Sequence, residues 1–242
     1  MLVLLVEIGN TALKAALSEN HILGKTFRYQ GEKRIDFIIS LIESEKPSKV
    51  CVASVYEIAS KDQKRLQAAC SSVVILDPSH TTPLSQYGLP EYITYDRAAA
   101  IIAVRSLFNG KNCTLMDFGT TLTVDFISAD GTYEGGNVSL GCRTRFKALN
   151  RYSRSLPLVD IPSDTSPCGQ SLISSIESGI ISGIMFEIQG YASLKPTNTV
   201  IFTGGDANYF AKRMKKPIFV VCNLVMMGLE LITESYVIED IK

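Results

Sequence analysis

The chain has 242 residues, and its 24 Lys+Arg balance 24 Asp+Glu, so the net charge is zero. A hydrophobic content of 46% with 20% charged residues is ordinary for a globular protein and argues against extended disorder. With no basic excess, neither nucleic acid nor an anionic membrane is an expected partner.

The opening Met1-Leu2-Val3-Leu4-Leu5-Val6 has no basic flank, and Glu7 interrupts it early, so it reads as a buried strand, not a signal peptide. The apolar run Leu2–Ile8 ends at the tight turn Gly9-Asn10-Thr11, and strands follow at Leu13–Leu17 and Leu23–Tyr29. Ile35, Phe37, Ile38, Leu41 and Ile42 give Lys33–Glu45 helical spacing. Val50–Val55 predicts a strand, Lys61–Ser71 a helix and Val73–Leu76 a strand. Pro78–Pro90 predicts a loop, and Asp96–Leu107 an alanine-rich helix.

The plan then starts again. Cys113–Phe118, Leu122–Ile127 and Gly131–Asn137 predict three strands, and Arg143–Arg151 and Ser171–Leu194 predict helices. A strand at Thr199–Phe202, a helix at Ala207–Met214, a strand at Ile218–Val221 and a helix at Leu224–Glu234 complete the chain. The stretch 217–232 is too short and too interrupted to span a bilayer. Val6-Glu7-Ile8-Gly9-Asn10-Thr11 lies over Met116-Asp117-Phe118-Gly119-Thr120-Thr121 at an offset of 110 residues. Both copies read apolar, acid, apolar, Gly, polar, Thr. The match gains weight because three strands and then helices follow in each half. Two α/β domains are therefore expected, residues 1–110 and 111–242, with mixed sheets, flanking helices and a cleft between them.

Cys51, Cys113 and Cys222 lie in apolar runs, and none of the six cysteines forms a CxxC pair; reduced core thiols of a soluble, cytoplasmic protein are expected. Two histidines, His21 and His80, argue against a His-based metal site.

An acid-x-Gly-polar-Thr turn between strands suits a phosphate. Glycine lets the backbone approach closely, turn amides and Asn or Thr side chains donate, and the acid holds a metal ion against the phosphate charge. One copy alone is an ordinary acidic hairpin; two in matched context favour a site. Phe202-Thr203-Gly204-Gly205-Asp206-Ala207 reads equally as a nucleotide-binding turn or as a tight strand-to-helix turn capped by Asp206. Asp96 begins a helix after a long loop. It fits a helix cap or a base that takes a proton from an attacking hydroxyl.

In order along nearly the whole chain, these segments resemble the type III pantothenate kinases of the actin-like, ribonuclease H-like ATPase superfamily. Glu7 to Thr11 resembles their opening Asp-x-Gly-Asn-Thr signature. Tyr87-Gly88-Leu89-Pro90 with Thr94-Tyr95-Asp96-Arg97 resembles their Tyr…Gly-x-Asp-Arg segment, and Asp117 to Asp125 their second phosphate motif. Gly135 to Gly141, Ser155-Leu156-Pro157, the Gly169–Gly179 spacing and Thr203-Gly204-Gly205-Asp206 follow in family order.

The resemblance implies ATP-dependent phosphorylation of pantothenate to 4'-phosphopantothenate, the first step toward coenzyme A, with Asp96 as general base. It places Tyr87, Thr94, Tyr95, Asp96, Arg97 and Leu172 at the substrate. Glu7, Ile8, Gly9, Asn10, Thr11, Ala12, Leu13, Lys14 and Thr120 fall at the ATP phosphates, and Gly204 and Gly205 on the adenosine side. It implies Mg²⁺ held with Glu7, a monovalent cation (K⁺ or NH₄⁺) at Asp117, and a homodimer. Three positions depart from the pattern: Glu7 replaces Asp, Thr94 replaces Gly, and Leu172 falls where a Thr is expected, beside Ser171. Two alternatives stand next to this reading. One is a kinase of another small hydroxylated substrate. The other is a catalytically weakened paralogue acting as a transcription accessory factor.

Overall fold

The computed structural model describes residues 1–80 and 82–239. The chain divides into two compact units. The first is Met1–Leu107 joined by the chain from Asn223 onward, and the second is Phe108–Cys222.

In the first unit, β1 (Leu2–Ile8), β2 (Leu13–Glu19), β3 (Ile22–Tyr29), β4 (Lys49–Ser54) and β5 (Val73–Leu76) form one sheet of order β3-β2-β1-β4-β5. β1 pairs antiparallel with β2 and parallel with β4. Covered on both faces, β1 and β4 read as unbroken apolar runs without alternation. Strand alternation sends Leu4, Val6, Ile8, Val50 and Val52 to one face. There they pack with Ile38, Leu41 and Ile42 of α1 (Arg34–Glu45) and Leu66 of α2 (Ser60–Ala69). Each such side chain, fully buried, contributes roughly 1.5–3 kcal/mol.

The opposite face is covered by α4 (Tyr95–Leu107) and α8 (Leu224–Glu239). α4 is buried nearly all round from Ala98 to Val104, so its sequence shows alanine richness and no sharp amphipathic stripe. Small residues let the helices close up: a Cβ on Gly228 of α8 would stand 1.8 Å from the Ala99 carbonyl oxygen. The expected loop after β5 contains a short helix, α3 (Thr82–Gln86).

The second unit repeats the topology. β6 (Cys113–Phe118), β7 (Thr121–Ile127), β8 (Tyr133–Leu140), β9 (Thr199–Thr203) and β10 (Phe219–Val220) are ordered β8-β7-β6-β9-β10. Pairing is again antiparallel on one side of the first strand and parallel on the other. Met116, Phe118, Val200 and Phe202 pack with α5 (Cys142–Tyr152), α6 (Leu172–Leu194) and α7 (Ala207–Ala211).

Two expectations need revision. A division at residue 110 puts the last helix in the second half, whereas α8 packs on β1, β2, β4 and α4 of the first unit. Cys222 is exposed, because the chain turns at Asn223 (φ 58°) before α8 and lifts the thiol out of the apolar run. The other five cysteines are also free thiols, four of them buried. No helix among the described residues is long and apolar enough to cross a membrane.

Candidate functional site

In the first unit the β1–β2 turn carries the first acid-Gly motif. The Gly9 amide donates to the Ala12 carbonyl at 3.1 Å and closes the turn. Asn10 and Thr11 are exposed at its tip. Glu7 lies in register with Lys14, whose ammonium is 3.2 Å from Oε2 and 3.4 Å from Oε1. Alternation turns Glu7 away from the α1–α2 face, toward the side that α4 covers. Burial raises the Glu7 carboxyl above its ordinary value. Lys14 opposes the rise, and the nearby Asp96 carboxylate adds to it. Two acids from separate elements are thus brought close enough to sense each other.

Sequence reasoning missed Arg34, the first residue of α1. Its Nη1 donates to the Gly9 carbonyl at 2.7 Å and its Nη2 to the Asn10 carbonyl at 3.2 Å. Nη1 also reaches the Tyr56 hydroxyl at 2.9 Å. The turn is therefore tied from behind while its tip stays open. A local signal exists: a cation at a helix N-terminus opposes the helix dipole, which suggests that Arg34 has a partner elsewhere.

Asp96 is the second residue of α4 and is not its cap. The Thr94 carbonyl accepts the first helical bond, from the Ala98 amide at 2.9 Å, so Thr94 occupies the capping position. The Asp96 Oδ1 accepts from the Arg97 amide at 2.9 Å, and Asp96 remains partly exposed. Tyr95 is buried and its hydroxyl donates to the His80 carbonyl, fixing the start of the helix. Tyr87 bonds the Ser235 hydroxyl of α8 at 2.7 Å, and its carbonyl accepts from Arg105 of α4 at 2.7 Å. The structure therefore groups Thr94, Tyr95, Asp96 and Arg97 at the start of one helix, in the unit that holds Glu7, and sets Tyr87 apart from them, against Arg105 in the last turn of α4 and Ser235 of α8.

In the second unit the β6–β7 turn closes one residue sooner: the Gly119 amide donates to the Thr121 carbonyl at 3.0 Å. Asp117 accordingly pairs with Thr123 where Glu7 pairs with Lys14. Matching the copies without a gap holds as far as Asn10 and Thr120 and fails after them. The Thr120 carbonyl accepts from the Gly141 amide and from the Thr144 hydroxyl. Gly204 follows β9, which runs parallel beside β6. It adopts φ 91°, and a Cβ there would stand 2.3 Å from the Asp117 Oδ1 and 2.6 Å from the Phe118 carbonyl oxygen. Only glycine at 204 lets the Asp117 carboxylate and the Phe118 carbonyl lie this close to the chain after β9. Gly205 has no atom within 4 Å of a built Cβ.

Asp206 occupies the N-cap position of α7 but makes no side-chain capping bond. Burial raises its carboxyl, while Arg143 opposes the rise. Burial, with Asp206 adding, pushes the nearby Cys142 thiol up to about 12, so that cysteine is inert packing. Leu172 opens α6 with its side chain exposed, and the neighbouring Ser171 hydroxyl is engaged in a capping box with Ser174.

Fold and paired motifs together define the class: a duplicated α/β fold, two units with five strands in matching order, each opening on an acid-Gly hairpin. Two solved structures carry the same fold. A Baf-family protein from Campylobacter jejuni, proposed as a transcriptional activator, superposes with a TM-score of 0.65 at 22% identity, covering 96% of this chain and 98% of its own. The activator of 2-hydroxyisocaproyl-CoA dehydratase from Clostridium difficile, with bound ADPNP, gives 0.58 at 14% identity, covering 100% and 98%. At these identities the likeness is one of fold alone.

A family model for type III pantothenate kinase matches residues 3–193. The protein of that name from Cytophaga hutchinsonii is 34% identical over 232 residues, 93% of this chain and 96% of its own length. The chain belongs to the type III pantothenate kinases.

Proposed function

We propose that this chain transfers the γ-phosphoryl group of ATP to the hydroxyl of pantothenate, opening the route to coenzyme A, with Asp96 as the general base. The observation that carries the assignment is the placement of Asp96. It lies in the first turn of a buried helix, outside the capping position, close enough to the phosphate-turn acid Glu7 to raise its carboxyl. Asp96 accepts the hydroxyl proton as the oxygen attacks the γ-phosphorus; the new O–P bond forms, the bond to the β–γ bridging oxygen breaks, and ADP leaves.

Tyr87, Thr94, Tyr95, Arg97 and Leu172 serve the substrate in this reading. Glu7 through Lys14 and Thr120 serve the phosphates, and Gly204 and Gly205 the adenosine side. The Glu7 carboxylate beside Lys14 supplies hard oxygen donors suited to Mg²⁺ through water, and such an ion neutralises phosphate charge. The Asp117 carboxylate, a hard oxygen donor in the second acid-Gly turn, suits a monovalent cation, K⁺ or NH₄⁺. A homodimer completes the proposal, supported by exposed Val138 and Leu140 on β8 and Phe186 on α6.

Asp96→Asn tests the base. Asn preserves the acceptor for the Arg97 amide, so a structural role predicts unchanged melting and turnover. A catalytic role predicts an unchanged melting temperature with kcat lowered about 10²–10⁴-fold. A folded variant within a fewfold of the parent rate overturns the assignment.

A further inference from the structure

Outside the kinase motifs, the first unit gathers His21, Glu230 and Glu234. His21 lies in the β2–β3 turn, where Asn20 (φ 52°) and His21 (φ 65°) reverse the chain. Glu230 and Glu234 stand one turn apart on α8, on one helix face. The His21 Nδ1 is 2.8 Å from the Glu234 Oε1, and the donor atoms of all three residues lie within 4.8 Å of one another.

Glu230 is the informative member. It is 9% exposed on a helix whose neighbouring Leu229 and Ile232 are fully buried, and it accepts a hydrogen bond from the Ser18 hydroxyl. A neutral hydroxyl does not offset the charge of a buried carboxylate, and buried charges in proteins are paired or hold a metal ion.

We propose that His21, Glu230 and Glu234 form a binding site for a divalent transition-metal ion. Two carboxylates cancel a 2+ charge, and a neutral imidazole adds the nitrogen donor that favours Zn²⁺, Co²⁺ or Mn²⁺ over Mg²⁺. Three protein ligands leave a fourth position for water, as a tetrahedral ion accepts. Zinc–ligand distances of about 2.0–2.2 Å need donors closer than the present outer separation. The adjustment falls on His21 and Glu234, whose side chains are 70% and 43% exposed and free to rotate inward, while Glu230 stays anchored.

The ion would join the β2–β3 hairpin to α8. α8 packs on α4 with no room for a Cβ at Gly228, and α4 carries Asp96. The site therefore braces the helix pair behind Asp96 without entering the phosphate chemistry, and the proposal stands whether or not Asp96 is the base.

Untagged, EDTA-treated full-length protein, free of nucleotide, is titrated with Zn²⁺ by calorimetry and with Co²⁺ by absorption. The expected result is one ion per chain with Kd of about 10 μM or tighter and a rise in melting temperature. His21→Asn keeps a residue that tolerates the left-handed turn, and Glu234→Gln keeps side-chain size. Each should weaken binding about tenfold or more while the metal-free melting temperature stays unchanged. The proposal is overturned if wild-type protein takes up no ion, or if His21→Asn binds undiminished. Thiolate absorption in the Co²⁺ complex also overturns it, since that would place the ion on the exposed Cys168 or Cys222.

Discussion

Gly204→Ala is the sharpest test of how the second motif is built. Gly204 adopts φ 91°, which disfavours an L-residue by about 1–2 kcal/mol. The new methyl would also stand 2.3 Å from the Asp117 Oδ1 and 2.6 Å from the Phe118 carbonyl oxygen. The carboxylate could swing away, but the backbone carbonyl is fixed, because Phe118 is held by ring contacts to Phe202 at 4.7 Å and Phe210 at 5.1 Å. Overpacking of this kind costs roughly 1–3 kcal/mol. The sum, about 2–5 kcal/mol, is a large share of a stability on the order of 5–15 kcal/mol. At roughly 2–4 °C per kcal/mol, the melting temperature should fall by about 4–20 °C. Gly205→Ala is the control: its Cβ meets nothing within 4 Å and its φ lies outside the left-handed region. That variant should melt within about 2 °C of wild type, as surface changes usually do. Circular dichroism melts of the three proteins decide the matter. If Gly204→Ala melts with the control, the close approach to Asp117 does not constrain residue 204.

Glu7→Gln should stabilise the protein while impairing it. Burial raises the Glu7 carboxyl above 4.5, so its ionised form opposes folding; that penalty is absent below the ordinary range and complete above the raised value. The melting advantage of Glu7→Gln should therefore grow as pH rises through this interval, while KM for Mg-ATP increases; an advantage independent of pH would show that burial of the charge is not the cause. Arg34→Ala should raise KM for ATP about tenfold, a loss of ~1.4 kcal/mol, with KM for pantothenate unchanged and Arg34→Lys intermediate. Equal effects on both substrates would mean that Arg34 does not act through the phosphate turn. Activity should be low in sodium or Tris buffer and recover in potassium or ammonium, and Asp117→Asn should abolish the difference; equal rates in all four would remove the cation site.

Strands and helices were legible because their cause is local. Leu2–Ile8 and Cys113–Phe118 are central strands covered on both faces, and a continuous apolar run records that directly. The duplication was legible for the same reason, since both units order their five strands alike. What escaped depended on partners distant in the chain. The β1–β2 turn is one residue longer than the β6–β7 turn, which an ungapped alignment of two short motifs conceals. α8 joined the wrong half because its apolar face says only that it is buried, not against what.

The candidate site divides along the same line. Acid-Gly turns advertise themselves, because glycine at a close approach and an acid at a strand end are local features. Arg34 left a weaker trace, for its contacts to the Gly9–Asn10 turn and to Tyr56 cross more than twenty residues. His21 and the α8 glutamates left none. Two histidines in a chain argue against a His-based metal site, yet the proposed site draws on one histidine and a glutamate pair and needs only a fold that packs α8 against the β2–β3 hairpin. Residue counts constrain sites made of one residue type; a mixed site becomes visible only once topology has set its members side by side.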